Sequence, residues 1–143
     1  MGKAIGLLLV FGASLCALDG AAAQWKQIAK SPIGELWFDV ASVKRNNGEA
    51  AFDYRIDYPK PQQVVESKAM YRSTVTRAKV RCVGRSIAIG PTIAFAGARA
   101  SGKEVGRFPP SPEEARFQPV EPNSSDENLW QQVCQVARLI PQK

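Results

Sequence analysis

Tyr71-Arg72-Ser73-Thr74-Val75-Thr76-Arg77-Ala78-Lys79-Val80-Arg81-Cys82-Val83 is the stretch whose reading decides the fold. Thr74, Thr76, Ala78, Val80 and Cys82 fall on one side of an extended chain and Arg77, Lys79 and Arg81 on the other. This is the two-residue period of a strand with one buried and one wet face, so Cys82 points toward a core. The same period runs through Ala51 to Tyr58, where Phe52, Tyr54, Ile56 and Tyr58 alternate with Asp53, Arg55 and Asp57. Shorter strands are predicted at Trp25–Ala29, Glu35–Val40, Ser86–Ile89, Thr92–Ala96 and Glu104–Phe108. Ser31-Pro32, Asn46-Asn47-Gly48, Gly90-Pro91 and Ser101-Gly102 are the turn signals between them. Short connections without helices favour an antiparallel meander, because parallel crossovers need long connections.

Beyond Phe108, prolines at 109, 110, 112, 119 and 122 predict an irregular surface connection. It leads to Ser124-Ser125-Asp126-Glu127, a capping box in which Ser124 accepts from the first turn and Glu127 reaches back. Leu129, Val133, Val136 and Ile140 follow at helical spacing with Trp130, Cys134 and Ala137 beside them, and Pro141 stops the helix. Trp25, Trp37 and Trp130 are expected to share the core where this helix meets the sheet. The predicted class is α+β: one antiparallel sheet packed against a C-terminal helix.

The first 23 residues have the three parts of an export signal: the cation Lys3, an apolar run from Ala4 to Leu18, and small residues up to Ala23 before Gln24. The run is broken by Gly12 and Ser14 and is shorter than the roughly 20 residues that span a membrane. Residues 24–143 then form one domain with one core, carrying no transmembrane segment. Lipidation at Cys16 is the alternative, although Leu15 stands where a small residue is expected. With the leader removed, Cys82 and Cys134 remain, and export places them where disulfides persist. A Cys82–Cys134 bond pins the last helix across the long strand and, closing a loop of roughly 50 residues, contributes about 4 kcal/mol in the chain-entropy picture.

The formal charge of +6 is unchanged by removal of the leader, which takes away one base and one acid. A moderately basic exported domain stays dispersed and is compatible with anionic partners. Arg77, Lys79 and Arg81, spaced at about 6.5–7 Å along one strand face, form the candidate binding patch. The competing reading pairs Asp53 and Asp57 across the ladder with Arg77 or Arg81. Nucleic acid is not an expected partner, since these cations come without interleaved aromatics. The chain has no histidine, which removes the commonest general base and most zinc sites. Asp53 with Asp57 and Glu113 with Glu114 read as solvated or salt-paired charges, and no glycine-rich phosphate loop or metal-spaced cluster occurs. No enzyme activity, cofactor or metal is expected.

Several pieces together carry a family resemblance. They are Trp25 after the leader, Gly34-Glu35-Leu36-Trp37-Phe38-Asp39 followed by Ala41-Ser42-Val43-Lys44-Arg45, and the strand ending in Asp57-Tyr58. Ser73 opening the strand to Cys82, Arg85, Phe117-Gln118-Pro119-Val120, Pro122, Leu129 and Cys134 complete the set. The chain resembles the surface-adhesin protein E-like family, small exported domains of Gram-negative bacteria. The resemblance implies an antiparallel sheet packed on a helix and adhesion to host matrix or serum proteins. One departure is Val80-Arg81, where relatives carry an acidic-aromatic pair before the strand cysteine. Two functions remain open at this level: an envelope adhesin-like module on the outer surface, and a periplasmic accessory domain with an internal envelope partner.

Overall fold

The computed structural model describes residues 22–142. Residues 1–21, on which the expected export signal and Cys16 fall, lie outside the described residues. Eight strands form one sheet: β1 (Trp25–Ser31), β2 (Gly34–Asp39), β3 (Lys44–Asn46), β4 (Glu49–Gln63), β5 (Met70–Arg81), β6 (Ser86–Phe95), β7 (Glu104–Phe108) and β8 (Gln118–Pro119). The order is β1-β2-β4-β5-β6-β7, with β3 also on β4 and β8 also on β6, and every pairing is antiparallel. Among the described residues one α-helix, α1 (Ser125–Leu139), follows the strands. The α+β meander read from the alternation is the architecture observed.

The central pairing is β4 with β5, in register from Glu49↔Arg81 to Asp57↔Ser73. Because the side-chain period is two, this register sends Ala50, Phe52, Ala78 and Val80 to one face and Asp53, Arg55, Arg77 and Lys79 to the other. The apolar face is capped by α1, whose buried residues Leu129, Val133, Cys134 and Ala137 meet Phe38, Phe52, Val80 and Ile87. The Cys82–Cys134 disulfide joins the end of β5 to the middle of α1 across a separation of 52 residues.

The helix begins as its sequence dictates. Ser124 Oγ accepts from the Glu127 N–H at 3.1 Å, and the Glu127 carboxylate reaches back past the cap to the Asn123 N–H at 2.7 Å. Arg85 completes the cap by pairing with Glu127. The Asn123 N–H is the main cause holding the Glu127 carboxyl below its ordinary range, and the Arg85 guanidinium adds to it. A carboxyl depressed in the folded state adds stability at neutral pH and loses it as acid protonates it, so this cap loosens on acidification.

Three expectations are corrected. Gly90-Pro91 is not a turn between two strands but lies inside β6, at an irregularity where Thr76↔Thr92 is followed by Ala78↔Ile89. Two residues there oppose Arg77 alone, a bulge that tolerates proline's missing donor. Glycine is required, because a Cβ at position 90 would stand 2.6 Å from the Arg77 carbonyl oxygen. The strand read as ending at Tyr58 runs on to Gln63 through a second irregularity that absorbs Pro59 and Pro61. Lastly, Trp25 and Trp37 do not join Trp130 near the helix. Trp37 neighbours Phe38 on β2, and when Phe38 enters the core the two-residue period sends Trp37 to the far face, with Trp25 beside it.

Two outcomes follow. Replacing both disulfide cysteines with serine is expected to lower stability by about 4 kcal/mol in urea or guanidinium denaturation, the value for a loop of this size. Gly90→Ala is expected to destabilise by about 1–3 kcal/mol, since backbone must shift to admit the methyl group, and the loss is read in the same experiment.

Candidate functional site

The face opposite α1 carries the charged residues of the β4–β5 ladder, and the structure divides them into two groups. The first contains the cations singled out by sequence. Arg77 makes a forked pair with Asp53 at 2.8 and 2.9 Å, the pairing that the antiparallel ladder offers. Arg81 pairs with Glu49 rather than with either aspartate, at 3.0 and 3.2 Å, and its guanidinium stacks over Phe117 at 3.8 Å. Lys79, between them, is exposed and opposite Ala51. Carboxylates thus neutralise two of the three row members, and exposed pairs of this kind contribute at most about 1 kcal/mol each.

The second group gives no local signal in the sequence, because Arg55 alternates with Asp53 and Asp57 and reads as one more wet-face charge. It is 3% exposed. Its guanidinium lies 4.6 Å from the Trp25 ring centre and 5.4 Å from that of Trp37, within cation–π range of both. It donates a fork from Nε and Nη2 to Asp57 Oδ2 at 3.0 and 2.8 Å. The other oxygen of Asp57 accepts the Arg99 backbone N–H at 2.8 Å, so one carboxylate ties the buried cation to the loop after β6. A signal for this cluster exists in retrospect: aromatics at 25 and 37 share the parity of Arg55 once β1, β2 and β4 are set in register.

These residues form part of the wall of an open groove of about 690 Å³. Its lining holds four cations, Lys30, Arg55, Arg72 and Arg99, against two carboxylates, Glu35 and Asp57. Lys30 and Glu35 pair at 2.8 Å across the β1–β2 hairpin. This hydrogen bond is the main cause that raises the ammonium and lowers the carboxyl from their ordinary values. The Trp37 indole N–H is buried with no acceptor in hydrogen-bond geometry, although it adds a small part of the lowering at Glu35. A second hollow of about 490 Å³, lined by Val75, Pro91, Ile93 and Phe108 beside the Asp53–Arg77 pair, lies on the same face. Arg55 and Val75, one lining residue of each, stand opposite each other across the β4–β5 ladder.

The model of a family described as surface-adhesin protein E matches residues 25–135, the span that holds the sheet, most of the helix and both cysteines. The chain belongs to the surface-adhesin protein E family. Among solved structures it is similar to protein E of Haemophilus influenzae, at 16% identity and a TM-score of 0.63, covering 82% of this chain and 89% of that one. A structure of protein E from non-typeable Haemophilus influenzae aligns at 17% identity and a TM-score of 0.60, covering 78% and 75%. At these identities the likeness shows a shared fold. No curated protein matches the sequence. Among the described residues of this family member, no helix is long and apolar enough to cross a membrane.

The far-face cluster makes a graded prediction. Asp57→Ala leaves a buried guanidinium without its carboxylate and is expected to cost about 3–5 kcal/mol. Asp53→Ala breaks a half-exposed pair and is expected to cost less than about 1 kcal/mol. Denaturant unfolding of the two variants side by side checks the contrast.

Proposed function

We propose that this member of the surface-adhesin protein E family is an exported envelope binding module that contacts proteins of the host matrix or serum from the outer surface of a Gram-negative cell. In this reading residues 1–23 are removed as a signal peptide and residues 24–143 act as one domain. The match to the adhesin family over residues 25–135 is the observation that carries the proposal. The disulfide agrees with it, since such bonds persist in oxidising compartments such as the periplasm and the cell exterior. Binding needs a presented surface, and in this fold α1 occupies one sheet face while the other carries side chains that face outward.

The test is display. Protease added to intact cells is expected to cleave the protein, and the cells are expected to adhere to immobilised matrix proteins less well when the gene is deleted. Protection from protease together with release by osmotic shock would overturn surface display and leave an accessory role inside the periplasm.

A further inference from the structure

The groove between the β1–β2 hairpin and the loop after β6 differs from an ordinary wet sheet face in three ways. Its polar groups are donors in excess. Arg55 and Lys30 each have a carboxylate, but Arg72 and Arg99 form no ion pair among the described residues. Arg72 makes only long bonds of 3.3 and 3.4 Å to the carbonyls of Tyr58 and Pro59.

The loop that presents Arg99 is also held in an unfavourable shape. Arg99 and Ala100 are consecutive non-glycine residues at φ +56° and +55°, a left-handed conformation that side chains with a Cβ adopt at a cost. Two polar side chains hold it there. Asp57 accepts the Arg99 N–H, and Ser73, wholly buried, accepts the Ala100 N–H at 2.9 Å while donating to the Gly97 carbonyl at 2.6 Å. The same Asp57 neutralises Arg55, so the pairing that satisfies the buried cation also fixes the loop that carries the unpaired one.

Third, Arg55 of this groove stands opposite Val75 across the β4–β5 ladder, and Val75 lines a neighbouring hollow with Pro91 and Ile93 on the same face. An occupant that fills both must present an anion at one end and an apolar side chain at the other. Neither hollow is deep, which suits an extended chain crossing the strands.

We propose that this composite groove binds an extended peptide segment bearing carboxylate side chains, gripped by Arg72 and Arg99, with an apolar residue seated against Val75 and Ile93. The indoles of Trp25 and Trp37 line the groove beside the buried Arg55. Charge-assisted bonds from an arginine to a carboxylate are the strong class of hydrogen bond, so each grip is a large share of a short peptide's affinity. The inference rests on reading this face as a protein-binding surface and names the chemistry of what it recognises.

A labelled six-residue peptide alternating leucine and glutamate, titrated into the purified domain at low salt, tests it. Saturable binding is expected, weakened at least about tenfold by Arg99→Asn or Arg72→Gln. Asparagine keeps the left-handed backbone at position 99, so that variant folds. Arg138→Gln, an equal loss of charge on the exposed side of α1, is expected to leave binding unchanged. Equal affinity for the glutamine counterpart of the peptide, or wild-type binding by both groove variants, would overturn the proposal. A sulfated disaccharide that displaces the peptide at lower concentration than the peptide's own would also overturn it, making the groove a polyanion site rather than a peptide site. Because the readout uses the isolated domain, its failure leaves surface display and matrix adhesion to be judged by the cell experiments.

Discussion

The β4–β5 ladder is the pairing on which everything else in this domain depends. Its register fixes which residues of the two longest strands face α1 and which face away, and one slipped residue would exchange the two sets completely. With Phe52, Ala78 and Val80 directed to the helix, Asp53, Arg55 and Arg77 are directed outward, and the outward face inherits its ion pairs and its groove from the same alternation. The disulfide secures this arrangement at one end, since Cys82 leaves β5 on the helix side and meets Cys134 on the buried stripe of α1.

On the outward face, burial separates charges that look alike in the sequence. Asp53 and Asp57 both sit on β4, two residues apart, and both pair with arginine. Arg77 remains more than half exposed, so water screens its pair with Asp53 and little stability depends on it. The Arg55 side chain is 4% exposed and enclosed by two indoles, and among the described residues Asp57 is the carboxylate that forms its ion pair. That difference makes the second pair a fixed part of the architecture. It also lets one carboxylate organise the groove, because its remaining oxygen reaches the loop after β6.

Much of this was legible in the residues. The strict alternation of 51–58 and 71–82 gave the strands, the Ser124 cap and the apolar stripe gave the helix, and two cysteines in an exported chain gave the bond. Local signals failed where tertiary context overrode them. Gly90-Pro91 has the composition of a turn, yet a bulge uses glycine for the close approach of a carbonyl and spends proline where no ladder donor is needed. The short β3 and β8 carry too few residues for a period to show. Large aromatics bury well, which points all three tryptophans to the core, but Trp37 adjoins Phe38 and both cannot face the helix. Arg55 was hidden for the same reason: its neighbours in sequence are acids, whereas its neighbours in space, Trp25 and Trp37, come from two other strands.

The caged arginine is therefore the feature that distinguishes this face from a plain wet sheet. Nuclear magnetic resonance of the arginine side chains in the native domain tests it most directly. One Nε–H, that of Arg55, should exchange slowly with solvent at neutral pH, and its side-chain protons should be displaced by the ring currents of the two indoles. If every arginine Nε–H exchanges rapidly and none shows such a displacement, the cage does not form and the groove built on it has no foundation.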